Sequence, residues 1–296
     1  MSLDQLPDWC TTGIGSLPFI DPHAAAIHAT ASYELPFRPQ LPKLDGEMVN
    51  EWLGGEAEWG RWTRKRKTRM PRSWAPFLDE IDRTPPEHGW VKLQVTGPVT
   101  LASAIDLDRP SFQLMTDVAE WLAEPMRGRV EVLAERGVEA LVLIDEPLLD
   151  QFSNADSGEL AKVWRPIADV ASAWGLHICC EVPWCPVLSA GPDVISFDLT
   201  VEELDEEAVT ALTNLVESGT RIAWGVIRPD SLDGPREGMM RLEQALAKVP
   251  AADGRSLITA SCGSGTVSPE REVGIAMGLR SISHSMRIRT SAKQSA

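Results

Sequence analysis

The chain has five histidines and five cysteines among 296 residues, yet HICC, positions 177–180, holds one histidine and two of the cysteines. On a strand, alternation puts His177 and Cys179 on one side, with Ile178 and Cys180 opposite. Imidazole and thiolate together suit a soft-to-borderline ion such as Zn2+, which takes four ligands tetrahedrally. Asp198 and Cys262 can complete that set. Zinc holds thiolates ionised, and their charge leaves the metal a mild Lewis acid, fit for activating an incoming thiol. The same residues also read as a buried strand that happens to carry thiols, since free cysteine is a common core residue. Cys180 and Cys185 read as the structural pair, with Cys185 a substitute ligand if Asp198 points away.

Carboxylates offer a second chemistry. Asp145 and Glu146 end the apolar run EALVLIDEP (139–147). Paired carboxyl groups do general acid/base work in sugar hydrolysis. Neighbours on a strand point to opposite sides, however, so only one of the two faces the centre. Asp145 with Glu47 can instead grip an ammonium group through charge-assisted hydrogen bonds. An amino-acid thiol would satisfy both halves, its amine on the carboxylates and its sulfur on the metal.

These residues need elements to bring them together. Eight short runs read as strands: 11–16, 40–45, 91–97, 139–147, 176–182, 193–199, 221–227 and 257–263. Each is followed by helical material or a loop. Asp21-Pro22 opens a helix to about 33, and further helices are expected over 112–136, 157–173 and 236–247. Thr200 with Glu203 reads as a capping box, and Ser268-Pro269 opens a last helix to about 286. Eight β–α units predict an α/β fold, a single (β/α)8 TIM barrel over residues 1–296. A basic insertion or loop is expected around 56–88, and a flexible tail after 287. In a barrel the strand ends share one face. Ser16, Glu47, Asp145, His177, Cys179, Asp198 and Cys262 would meet there. The G-x-G at 13–15 lacks the third glycine of a dinucleotide fingerprint.

Composition excludes several classes. A net charge of -15 works against general binding to nucleic acid or anionic membranes. The run RWTRKRKTR (61–69), with six basic side chains, is the local exception, a solvated face or a docking patch for an acidic partner or phosphate. No apolar stretch is long enough for a membrane span, and the N-terminus lacks a signal-peptide pattern, so a cytoplasmic protein is expected. The cysteines are too few and too unevenly spaced for a disulfide framework.

Seven motifs now stand in order: GIGSLP (13–18), DGEMVNEW (45–52), TGPVT (96–100), IDEP (144–147), H-x-C (177–179), DVISFD (193–198) and SCG (261–263). Over residues 10 to 285 the chain resembles the catalytic half of cobalamin-independent methionine synthase, in the wider superfamily of uroporphyrinogen decarboxylase. The resemblance implies a barrel in which zinc activates homocysteine for methylation to methionine. It implies His177, Cys179 and Cys262 as zinc ligands, with Asp198 where the family has glutamate. Ile14, Gly15 and Ser16 then hold the polar end of the amino acid, and Glu47 and Asp145 its ammonium group. The chain also departs from the pattern. LASAIDL (101–107) stands where the family carries a W-S-F run that stacks on a pterin, and GVIRPDS (225–231) puts Arg228 and Asp230 at the D and H of G-V-x-D-x-H. Long members also carry a second barrel ahead of this one. A folate nitrogen must be protonated to leave, whereas methyl on cobalt needs no acid. The departures therefore imply methylcobalamin or a corrinoid protein as methyl donor. Another thiol such as coenzyme M, with Arg228 as its anion contact, and a non-catalytic binding barrel stand as alternatives.

Overall fold

The computed structural model describes residues 2–108 and 110–294. Seven strands form one sheet: β1 (Cys10–Thr11), β2 (Trp90–Thr96), β3 (Glu139–Asp145), β4 (Ala173–Ile178), β5 (Val194–Asp198), β6 (Arg221–Ile227) and β7 (Ser256–Ala260). All pairs are parallel, in the order β1-β7-β6-β5-β4-β3-β2. Twelve α-helices accompany them among the described residues. Before β2 come α1 (Pro22–Ala31), α2 (Pro42–Asp45), α3 (Met48–Leu53) and α4 (Trp74–Arg83). After it follow α5 (Pro98–Ile105), α6 (Phe112–Ala134), α7 (Ser157–Val163), α8 (Arg165–Ala168), α9 (Trp184–Ala190), α10 (Glu206–Glu217), α11 (Pro235–Lys248) and α12 (Pro269–Gln294).

The sheet is therefore a curled, open one of seven strands, where eight were expected. Residues 40–45 do not form the second strand, because Pro42–Asp45 is helical. Its place is taken earlier in the chain. Leu35 N donates to Thr11 O at 3.0 Å and Gln40 N to Gly15 O at 2.7 Å on one edge. On the other edge Arg38 N donates to Lys92 O at 3.0 Å and Lys92 N to Pro36 O at 2.7 Å. Pro36 and Pro39 have no N–H to give, so the ladder is interrupted and only isolated bridges survive.

Strand alternation divides the side chains into two sets. Val91, Leu93, Val95, Val142, Ile144, Leu176, Ile178, Ile195 and Phe197 face the helices in the larger apolar core. The opposite parity forms a second cluster, with Cys10, Leu35, Trp90, Leu141, Leu143, Val194 and Leu257 plugging the N-terminal end of the sheet. Full burial of each Val or Leu stabilises by roughly 1.5–3 kcal/mol. Further along the same inner face the residues turn polar: Lys92, Gln94, Asp145, His177, Ser196 and Thr259 are all buried. Burial of such groups is costly unless each finds a partner, so this half of the interior is where chemistry sits.

Helix ends explain other departures. Thr200 does not cap a helix. Its N–H and hydroxyl both donate to Asp198 Oδ1, at 2.7 and 2.6 Å, and Asp205 caps α10 through Ala208 N instead. The 56–88 segment contains α4, which buries Trp74, Phe77 and Ile81. Past 287 the chain continues in α12. Arg287 pairs with Glu34 at 2.6 Å, and Thr290 Oγ1 accepts from Trp9 Nε1 at 3.1 Å. No helix among the described residues is long and apolar enough to cross a membrane.

Candidate functional site: a thiol and carboxylate pocket

β3, β4 and β5 run side by side, and their register places Asp145 beside His177 and His177 beside Ser196. Ser196 Oγ lies 3.0 Å from His177 Nδ1. The ring's proton sits on Nδ1 or Nε2 according to tautomer; Nε2 is buried, and the ring also reaches Cys262. Cys179, two residues on, shares the inner side, and Cys262 reaches the same point from the end of β7. The Cys179 thiol donates to Cys262. That bond, with the nearby His177 ring, holds Cys262 far below the ordinary thiol range, against the opposing effect of burial. The same hydrogen bond, and then burial, push Cys179 far above it.

Opposite the thiols stand the carboxylates. Asp145 Oδ1 accepts from Gln94 Nε2 at 2.6 Å. Burial pushes the Asp145 carboxyl up, and His177, Lys92 and Gln94 pull it back. Glu47 is the residue before α3 and makes no capping bond there, which leaves its carboxylate to the pocket. A cavity of about 190 Å3 joins these groups, lined by Ile14, Ser16, Glu47, Asp145, His177, Cys179 and Cys262 among others. Pockets for drug-sized ligands span about 300–1,000 Å3, so this one suits an amino acid. A Cβ on Gly263 would come within 2.6 Å of Ser16 Cβ, so the loop after β7 closes on Ser16 only as glycine.

Three expected residues sit differently. Gly15 does not line the cavity; its N–H donates to Gln94 Oε1 at 2.8 Å. Asp198 is buried, outside the lining, with Oδ1 engaged by Thr200. Arg228 is exposed and bonded to Asp230 at 2.8 Å, within electrostatic reach of Asp198 and Cys262. Glu146 faces away from the pocket. It accepts from Val99 N, Thr100 N, Thr100 Oγ1 and Trp164 Nε1 at 2.8–3.1 Å, bracing the start of α5. Asp145 and Glu146 therefore do not flank one bond, and a hydrolase pair is excluded.

Sequence reasoning missed Lys92, Gln94 and Ser196, as well as Gln40 and Glu51 in the lining. Gln40 Nε2 donates to Glu51 at 3.0 Å, and Arg38 pairs with Glu51 at 3.0 Å behind it. Parity on DVISFD was the available signal for Ser196, which shares a side with Asp198. As they stand, no three His, Cys, Asp or Glu side chains among the described residues are placed to hold a metal. The donor chemistry nevertheless fits one. A buried imidazole nitrogen shares one pocket with two cysteine sulfurs.

Fold and site define a parallel α/β protein with a thiol-rich, amino-acid-sized pocket at its strand ends. No protein-family model matches the sequence, and no curated protein does. Solved structures do match. A B12-independent methionine synthase from Shewanella sp. W3-18-1, in complex with selenomethionine, is 17% identical with TM-score 0.56, over 76% of this chain and 70% of that one. A methyltransferase from Methanosarcina mazei is 17% identical with TM-score 0.56, over 95% and 94%. A Listeria monocytogenes protein described as a candidate vitamin-B12-independent methionine synthase is 11% identical with TM-score 0.58, over 90% and 86%. The chain has the fold of the cobalamin-independent methionine synthases.

Proposed function

We propose that the protein transfers a methyl group to a thiol, with homocysteine the acceptor and methionine the product. The observation that carries this reading is one pocket lined by Cys179, Cys262 and the His177 imidazole together with the carboxylates of Asp145 and Glu47. In this reading the curled sheet and the 35–40 segment together make the full (β/α)8 barrel.

The chain's own residues divide the work. Asp145 and Glu47 receive the ammonium group, and the Ile14–Ser16 strip lies along the carboxylate end. That orientation aims the sulfur at His177, Cys179 and Cys262. Zinc held by those three, with Asp198 as fourth ligand if it leaves Thr200, would supply the positive charge that ionises a substrate thiol near neutral pH. In the transfer a sulfur lone pair forms the S–CH3 bond, and the electron pair of the breaking bond leaves with the donor.

Among the described residues no Lys or Arg lines the cavity, which carries Glu47, Glu51 and Asp145. That charge balance favours an ammonium-bearing thiol over a sulfonate such as coenzyme M. Two of the solved relatives are named as B12-independent. In this chain, however, Arg228 and Asp230 pair with each other where the resemblance looks for a proton donor, which favours a methylcorrinoid or corrinoid protein as donor. Purified protein, supplied with zinc and homocysteine, should form methionine from methylcobalamin faster than from methyltetrahydrofolate. Turnover from methyltetrahydrofolate alone would overturn the donor assignment. No turnover from either, with no homocysteine binding, would overturn the function and favour a non-catalytic barrel.

A further inference from the structure

We propose that Lys92 and Gln94 are positioning residues that make Asp145 a fixed acceptor for the substrate's amine and so set the pocket's preference for amino thiols. The proposal rests on the amino-thiol reading above.

Lys92 and Gln94 lie on the inner face of β2, each 1% exposed, above the apolar plug. Amide oxygen and nitrogen are ordinarily interchangeable in a structure, but here the neighbours decide. Gly15 N–H can only donate, and the Lys92 amine donates beside it. Both converge on Gln94 Oε1, with Gly15 N at 2.8 Å. Nε2 must then point the other way, and it meets Asp145 Oδ1 at 2.6 Å. The donor on Asp145 is thus imposed from two residues away. One side chain also ties Asp145 to the Ile14–Ser16 strip, fixing the spacing between the two walls that would take the amine and carboxylate of an amino acid. A Cβ on Gly15 would run into Gln40 and approach Gln94 Cβ to 3.2 Å, so the strip sits this close only as glycine.

Packing does not explain Lys92. Burial lowers its pKa to about 7, and among the described residues its amine has no ion pair with a carboxylate, only Gln94 and the face of Phe37, whose ring centre is 5.2 Å away. A methionine would fill the same space without burying a charge. What Lys92 adds is a second donor on Gln94 Oε1, which with Gly15 N–H keeps the amide nitrogen on Asp145 Oδ1 and leaves the other carboxylate oxygen to accept.

Calorimetric titration of the zinc-loaded full chain with homocysteine and with mercaptobutyrate, the same thiol acid without the amine, tests this. The wild type should prefer homocysteine. Lys92→Met and Gln94→Glu should each lose about tenfold or more in homocysteine affinity and little in mercaptobutyrate affinity. Gln94→Glu retains size and the Lys92 bond but turns an acceptor toward Asp145, so it decides the matter should Lys92→Met fail to fold. Variants that keep the wild-type preference, or that lose both ligands equally, would overturn the proposal. A wild type that binds neither thiol would instead overturn the function on which it rests.

Discussion

Ser196 Oγ meets His177 Nδ1 at 3.0 Å across the β4–β5 pairing, on a ring that lines one pocket with Cys179 and Cys262. Ser196 does not line that pocket, yet its hydroxyl orients the imidazole that does. Partners of this kind, when removed, weaken metal sites by about 10–100-fold.

Ser196→Ala should therefore lower zinc affinity in a chelator competition by about tenfold or more. Stability should fall by only about 1 kcal/mol, the net worth of one hydrogen bond. Unchanged zinc affinity would show that the imidazole is held by its packing alone.

The hydrogen bond from Cys179 to Cys262 predicts a reactivity order in metal-free protein. Cys262 is exposed and its thiol is lowered by the Cys179 hydrogen bond, whereas burial raises Cys180. Alkylation at pH 6, mapped by mass spectrometry, should label Cys262 well ahead of Cys180, because the thiolate is the reacting form. Cys179→Ala, which removes the donor, should slow Cys262 toward an ordinary thiol. Equal labelling of the two cysteines would contradict the pairing.

Glu146 predicts a pH signature in stability rather than in catalysis. Burial pushes its carboxyl up to about 7, against the pull of hydrogen bonds from Trp164, Thr100 and Val99. A carboxyl whose pKa is raised on folding favours the folded state at low pH, and that contribution is lost as pH rises from about 4.3 in the unfolded chain through about 7. Glu146→Gln does not titrate. Its stability deficit against wild type should shrink by about 3 kcal/mol between pH 4 and pH 8 in denaturant melts. A gap that is constant or widens with pH would mean that the four donors keep Glu146 ionised throughout.

Much of this site was legible in the residues. The period of two in HICC placed His177 and Cys179 together, and the same rule separated Asp145 from Glu146. The helix α4 was also legible in principle, since Trp74, Phe77, Leu78 and Ile81 follow helical spacing, but the prolines and the basic run ahead of it hid the pattern. What could not be read depends on register. Lys92 and Gln94 belong to a strand that reads as ordinary alternation, and only its pairing with β3 brings them to Asp145. Residues 35–40 escaped notice because Pro36 and Pro39 erase the strand signal while the segment still bonds to both sheet edges. Thr200 read as a helix cap, but Asp198 competes for its donors and wins.

The central claim is that one imidazole and two cysteine sulfurs act together on a substrate thiol. X-ray absorption of the zinc-loaded protein tests it most directly. The account predicts two sulfur neighbours at about 2.3 Å and nitrogen at about 2.0–2.1 Å, with a third sulfur arriving when homocysteine is added. A shell of oxygen and nitrogen only, or one that ignores both homocysteine and Cys262→Ser, would contradict it.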